Sequence, residues 1–220
     1  GCHGLSGQGN GPASYLLYPK PRDFSRGEFR LISTRNYLPT DKDLFKTISR
    51  GMPGSSMPPW DFLPEKERWA LVYYVRYLVN LGAEQKEEKI NAGQIKKGLV
   101  WETQKRLMTE ITAPEDVIKI AQEPSRNEQS AQKGRELFLK GCASCHGPQG
   151  RGDGTAVMKD TAGVPIQARD LTSGLFKGSS SSEDLYYRMI GGLPGAPMPS
   201  YQEAYKDDQI WDLIHYVQTL

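Results

Sequence analysis

Cysteine and histidine are scarce in this chain of 220 residues, which contains three of each. So few thiols exclude a disulfide-stapled scaffold, and so few imidazoles exclude any site that needs many histidines. Two of each occur as adjacent pairs, Cys2-His3 and Cys145-His146. A long apolar run is lacking too, because Arg76 interrupts the most apolar stretch at 71–81. The sequence therefore predicts no transmembrane segment.

Charge and composition narrow the class of protein further. The formal net charge is only +2, which argues against a dedicated nucleic-acid binder. Hydrophobic residues make up 37% and charged residues 25%, as in soluble globular proteins. The 23 Gly and 15 Pro predict long loops, and a length of 220 residues favours two domains.

An internal repeat organises the chain. Each copy has Cys-His-Gly with further glycines at the same spacing, an Arg-Asp pair, an acidic helix start, a Pro-rich segment with a methionine, and a closing Trp-x-Leu-x-x-Tyr pattern. The matched positions keep one order and lie 141 to 147 residues apart. This duplication predicts one domain at residues 1–82, a linker at 83–129 and a second domain at 130–220.

Each repeat is predicted to be mostly helical, with loops rich in Gly and Pro. Thr40 and Ser181 stand where helix N-caps are expected, each with an acidic residue in the following turn. Apolar periodicity predicts helices over 65–81, 130–140 and 207–220. The helix at 130–140 has no counterpart in the first repeat, and the chain begins without an initiator Met, so we expect a mature or truncated product.

The predicted linker has dense, mixed charge, with 8 Lys or Arg and 9 Asp or Glu residues. Its patchy apolar pattern predicts one or two helices and then an extended stretch at 118–123. A solvated spacer over both domains is the main interpretation. The alternative for Trp101 is packing at a domain interface.

The second repeat contains Cys142-Ala143-Ser144-Cys145-His146, which has the spacing of a c-type haem attachment motif. Two thiols three residues apart can reach both vinyl groups of one porphyrin, and the adjacent imidazole can face the iron. A thioredoxin-like pair has the same cysteine spacing, but it sits in an α/β context that is absent here. A zinc site would need a second pair of ligands, which three cysteines cannot supply. Haem is the predicted occupant.

The first repeat retains only Gly1-Cys2-His3 of this motif. The repeat places the missing cysteine two residues before Gly1. The alternative is a degenerate domain, either without haem or with a single thioether bond. The complete glycine loop and methionine segment that follow favour haem in this domain as well.

Methionine is the predicted sixth ligand of each iron. Two bis-histidine haems would need four histidines, and His215, the third in the chain, lies within a predicted helix. Each repeat offers a thioether in a Pro-framed loop, at Met57 and Met198. Met52 competes in the first repeat, but its repeat partner is Leu193, which cannot bind iron. The other methionines lack repeat partners and are predicted to be packing or surface residues: Met108, Met158 and Met189.

These motifs resemble a dihaem c-type cytochrome built from two class I cytochrome c domains. The resemblance covers both repeats and leaves the linker out. It implies an all-α fold, a periplasmic or otherwise extracytoplasmic location, and two covalent haem c groups that transfer electrons. It also implies that the helix with Gly134 and Phe138 crosses the closing helix near Trp211 and Tyr216. The implied attachment and axial residues are Cys2, His3, Met57, Cys142, Cys145, His146 and Met198.

Four further residues are predicted to contact the haems. Arg22 and Arg169 recur at matching positions, and a haem propionate is their natural partner. The alternative is a structural salt bridge to a neighbouring aspartate. Trp60 and Tyr201, which follow the two methionines, are predicted to wall the pockets.

The predicted function is electron transfer, as a carrier or as the cytochrome subunit of a redox complex, with protein donors and acceptors as partners. Residues 1–82 carry 11 basic and 7 acidic groups, so an acidic partner is expected to dock there. One alternative is a dihaem peroxidase-like enzyme with a displaceable axial ligand. Two equivalent methionine loops and the lack of a distal histidine weigh against it. Another alternative is a haem-bearing interaction module.

Overall fold

The computed structural model describes residues 1–27, 29–94, 113–160 and 163–220. This part of the chain is mostly helical, which confirms the all-α prediction. The helices are α1 (Asp41–Arg50), α2 (Glu65–Gln94), α3 (Glu128–Gly141), α4 (Ala143–His146), α5 (Ser182–Gly191) and α6 (Asp207–Val217). Short 3-10 helices span Ser14–Leu16, Phe24–Arg26 and Leu171–Ser173. Strands β1 (Met158–Lys159) and β2 (Pro165–Ile166) pair antiparallel, with Met158 opposite Ile166. None of the described helices is long and apolar enough to cross a membrane.

The chain divides into two compact units. Unit 1 comprises Gly1–Phe29 and Thr34–Asp116, and unit 2 comprises Arg30–Ser33 and Val117–Leu220. The predicted linker is therefore shared between the units, and a short segment of the first repeat belongs to unit 2. Trp101 and Met108 lie outside the described residues, as do the apolar positions 95, 99, 107 and 111 of the linker pattern.

Side-chain hydrogen bonds cap the start of α1 and of α5, the helices that precede the two methionine loops, as predicted. The Asp43 N–H donates to Thr40 Oγ1 at 3.1 Å, and the Thr40 N–H donates to the Asp43 carboxylate at 2.8 Å. The Asp184 N–H likewise donates to Ser181 Oγ at 3.2 Å. These bonds satisfy backbone donors that have no partner within the helix, so they fix the start of α1 and α5.

In unit 2, α3 crosses α6 at very close range. A Cβ atom built on Gly134 would lie 1.9 Å from the Asp212 carbonyl oxygen, so only glycine fits at this crossing. Four residues further along α3, the Phe138 ring meets the Tyr216 ring edge-on at 5.3 Å. The crossing that the resemblance implied is therefore present.

Part of the predicted linker belongs to the core of unit 2. Ile118 is buried in the same apolar cluster as Phe138 and Leu213. Its N–H donates to Ser33 O at 2.7 Å, and the Arg188 guanidinium donates to Ile32 O at 2.8 Å. Residues 118–123 are in neither a helix nor a strand, and their extended conformation stays a prediction. The interpretation of a solvated spacer is wrong for Ile118, because its side chain is buried in the apolar core of unit 2.

One face of α2 in unit 1 is exposed, although the matching face of α6 in unit 2 is buried. Leu71 is 37% exposed and its repeat partner Leu213 is 0% exposed; Tyr74 is 51% exposed and its partner Tyr216 is 8% exposed. In unit 2, α3 packs against α6 at Gly134 and Phe138, and the described residues of unit 1 contain no helix that corresponds to α3. Helix α2 also continues well past its predicted end at 81, and α6 ends three residues before its predicted end at 220.

Candidate functional site

The attachment motif of unit 2 forms one tight helical turn at the end of α3. The Cys142 N–H donates to Phe138 O at 2.8 Å, and the His146 N–H donates to Cys142 O at 2.9 Å. Two thiols and one imidazole are thereby brought into a single turn. All three cysteines of the chain are described, and none of them is in a disulfide.

The ring of His146 is oriented by a backbone carbonyl. Its Nδ1 lies 3.0 Å from the carbonyl oxygen of Arg169. A carbonyl oxygen can only accept, so Nδ1 carries the proton and Nε2 keeps its lone pair for a metal. Burial lowers the pKa of His146, which further favours the neutral ring.

His3 repeats this arrangement in unit 1. Its Nδ1 lies 3.0 Å from the carbonyl oxygen of Arg22, and burial lowers the pKa of its ring. The His3 ring stacks on the Phe24 ring at 4.4 Å. Cys2, half-buried beside it, is the thiol of this site. In both units Nδ1 is engaged by a backbone carbonyl, so Nε2 is the nitrogen left with a lone pair.

The glycine loop after each histidine has the same hydrogen bonds in both units. The N–H of Gly9 donates to His3 O and that of Gly152 donates to His146 O, both at 2.8 Å. Both glycines have a positive φ, and a Cβ on either one would lie 2.5 Å from a backbone carbonyl oxygen. Glycine is required at these two positions because the conformation and the close approach both exclude a side chain.

The two methionine loops also match. The Met52 N–H donates to Met57 O at 3.0 Å, and the Leu193 N–H donates to Met198 O at 3.1 Å. Met52 therefore occupies the place of Leu193, as the repeat predicted, and Met57 occupies that of Met198. Both of these later methionines are half-buried. Iron ligation by Met57 and Met198 stays a prediction.

Tyr201 lies beside the attachment motif, as does Tyr205. The sequence analysis did not predict Tyr205 as a site residue. The Tyr201 hydroxyl donates to Gly141 O at 3.2 Å, and the Tyr205 ring stacks on the Tyr201 ring at 5.7 Å. Burial raises the pKa of the Cys142 thiol to about 11, and a hydrogen bond with Tyr201 partly offsets the rise. Only the spacing of two tyrosines after the methionine could have indicated this pair.

Trp60, at the position of Tyr201 in unit 1, is 37% exposed and tilts against the Phe62 ring at 5.6 Å. Its role in walling a haem pocket stays a prediction.

Arg22 and Arg169 act on the histidines through their main chains, which the sequence could not indicate. The aspartate after each arginine caps a 3-10 helix: the Ser25 N–H donates to Asp23 and the Thr172 N–H donates to Asp170, both at 2.9 Å. Contact of the two guanidinium groups with a haem propionate stays a prediction.

His215 has a structural role. It is 0% exposed, its Nδ1 lies 2.7 Å from Ser130 Oγ, and its Nε2 lies 3.3 Å from Glu123 Oε1. Both ring nitrogens are therefore engaged within the protein, in agreement with the interpretation that His215 is not an iron ligand. Met189 is buried in the core and Met158 is half-buried in β1, as expected of packing or surface residues.

The donor set fits covalently bound haem. Reduced thiols, an imidazole Nε2 and a thioether are the groups that hold the porphyrin and the iron in c-type cytochromes. The sequence model of the Cytochrome c family matches residues 1–79 and 131–220. The chain belongs to the cytochrome c family. Covalent haem c and electron transport follow from this membership, and the two matched segments correspond to the two repeats.

A solved structure resembles this cytochrome over nearly its whole length. It is a chain of the Kuenenia stuttgartiensis reducing HAO-like protein complex, with 34% sequence identity and a TM-score of 0.81. The similarity covers 99% of this cytochrome and 89% of that chain. The search of curated protein sequences found no match to this cytochrome.

Proposed function

We propose that this cytochrome transfers single electrons through two haem c groups, one in each unit, each with a histidine and a methionine as axial ligands. The observation that carries the proposal is the duplicated donor geometry. Nδ1 of His3 and Nδ1 of His146 each lie 3.0 Å from a backbone carbonyl oxygen, and the same backbone hydrogen bond closes both methionine loops.

The haem iron supplies a one-electron ferric/ferrous couple when it is bound. The chain supplies the attachment and the axial donors. In unit 2, Cys142 and Cys145 would form the thioether bonds, His146 Nε2 would be the fixed donor and the Met198 sulfur the sixth ligand. In unit 1 the corresponding residues are Cys2, His3 and Met57. A thioether opposite an imidazole raises the reduction potential relative to two imidazoles.

We place this cytochrome as an electron-transfer subunit of a larger redox complex outside the cytoplasm. Support comes from the resemblance, at 34% identity, to a chain of a reducing HAO-like protein complex. The excess of 11 basic over 7 acidic groups in residues 1–82 favours an acidic surface on the donor or acceptor that docks there.

Optical redox titration of the purified full chain, with haem quantified per chain, tests this proposal. The expected result is two covalent haems, both low-spin, which show the weak red charge-transfer absorption of methionine-ligated ferric iron. A high-spin component that binds peroxide or carbon monoxide would instead support the peroxidase-like alternative. A single haem per chain would contradict the assignment of unit 1.

A further inference from the structure

Tyr201 joins the loop of Met198 to the end of the helix that leads into the attachment motif. Its N–H donates to Met189 O on α5 at 2.9 Å, and its hydroxyl donates to Gly141 O at 3.2 Å. Gly141 directly precedes Cys142 in the chain. Tyr201, three residues after the predicted ligand Met198, therefore links the methionine loop to the residue that precedes the first thiol.

The hydroxyl of Tyr201 lies in a tightly packed place. The Tyr205 ring stacks on the Tyr201 ring at an interplanar angle of 25°. A Cβ on Gly141 would lie 2.3 Å from the Tyr205 hydroxyl oxygen, so the backbone of α3 approaches the tyrosine pair more closely than a side chain would permit. Cys142 is buried beside them. The hydrogen bond of the Tyr201 hydroxyl is partly buried, and such a bond retains more of its strength than one in open water.

The equivalent position in unit 1 has a different side chain. The Trp60 N–H donates to Ile48 O at 3.1 Å, which repeats the backbone bond of Tyr201. An indole has no hydroxyl, and the Trp60 ring leans on Phe62 instead. The hydroxyl tie between loop and helix is therefore a feature of unit 2.

We propose that Tyr201 is a positioning residue that holds Met198 in place as the sixth ligand of the unit 2 haem. The inference rests on the proposed function, since it presumes iron ligation by Met198. A loop that is anchored on both α3 and α5 gains less conformational freedom when its methionine leaves the iron. Met198 is thus held more firmly than it would be by the backbone alone.

Competition with imidazole for the ferric iron tests this role in the full chain with its haems attached. Tyr201→Phe keeps the ring and its stacking and removes only the hydroxyl. The loss of the hydroxyl's bond to Gly141 should let imidazole displace methionine at a concentration about threefold to tenfold lower at one haem. The midpoint potential of that haem should fall, and the other haem should be unchanged. Met198→Ala identifies which haem belongs to unit 2.

Two further variants give the controls. Tyr201→Trp copies the residue of unit 1. It should weaken methionine ligation at the unit 2 haem in the imidazole titration, as Tyr201→Phe does. Tyr77→Phe removes the hydroxyl of a tyrosine in α2 that is 57% exposed and lies outside the site, and should leave the imidazole titration unchanged. Wild-type imidazole affinity and potential in both Tyr201 variants would overturn the inference. If the wild-type chain lacks the methionine charge-transfer band at both haems, the proposed function itself fails.

Discussion

The backbone of Gly134 passes so close to Asp212 that a Cβ atom would lie 1.9 Å from the Asp212 carbonyl oxygen. The crossing of α3 and α6 depends on this approach. We expect Gly134→Ala to force the helices apart and to lower the free energy of unfolding by about 1–3 kcal/mol, even though alanine favours the helix. Denaturant unfolding measures the change. Glu136→Ala on the exposed side of α3 is the control, and a stable Gly134→Ala variant would contradict the packing described.

His215 contributes to stability and does not contribute to iron ligation. Its two nitrogens bond Ser130 and Glu123 inside unit 2. His215→Ala removes a fully buried ring together with its two hydrogen bonds, and should cost about 1–3 kcal/mol of unfolding free energy. The ferric absorption spectrum should not change. Tyr73→Ala, at the matched exposed position of unit 1, should alter neither quantity, and a spectral change in His215→Ala would refute the structural role.

The methionine loops predict which thioethers bind iron. Met57→His and Met198→His each replace a thioether by an imidazole, and each should lower the midpoint potential of one haem while leaving the other unchanged. Met52→Leu copies Leu193 of the second repeat and should leave both potentials as they are. Redox titration of the three variants measures this pattern. A drop in potential with Met52→Leu would show that the ligand of unit 1 has been misassigned.

We expect the two cysteines of unit 2 to differ in reactivity in the folded chain before haem is attached. Burial raises the pKa of Cys142 to about 11, and the thiolate is the reactive form. In the apoprotein, iodoacetamide should therefore modify half-buried Cys145 at neutral pH, whereas Cys142 should react only as the pH approaches its raised pKa. Peptide mass spectrometry measures both rates. Equal rates at neutral pH would contradict the environment assigned to Cys142, and attached haem should protect both thiols.

The features predicted from sequence are those encoded within a few residues or by the repeat. The capping by Thr40 and Ser181 depends on groups three residues apart, and the equivalence of Met57 with Met198 follows from matched loops. The crossing at Gly134 came from the resemblance. Short-range patterns of this kind survive in any tertiary context that permits the helix or the loop.

The features that were missed depend on contacts between distant parts of the chain. Ile118 looked like a spacer residue, because nothing near it in sequence shows that Ser33 accepts its N–H. The carbonyl oxygens of Arg22 and Arg169 orient the histidines. Every residue has a main-chain carbonyl, so the amino-acid sequence cannot show which one accepts such a bond. The end of α2 was missed because helix propensity continues past the amphipathic segment, through the charged residues after Leu81.

Proton NMR of the reduced full chain tests the central claim most directly. The ring current of a low-spin ferrous haem shifts the resonances of an axial methionine far upfield, so each bound thioether gives its own set of signals. The account predicts two such sets, one of which disappears with Met57→Ala and the other with Met198→Ala. A spectrum with no upfield methionine signals, or one in which both sets survive these substitutions, would contradict histidine/methionine ligation by the two duplicated sites.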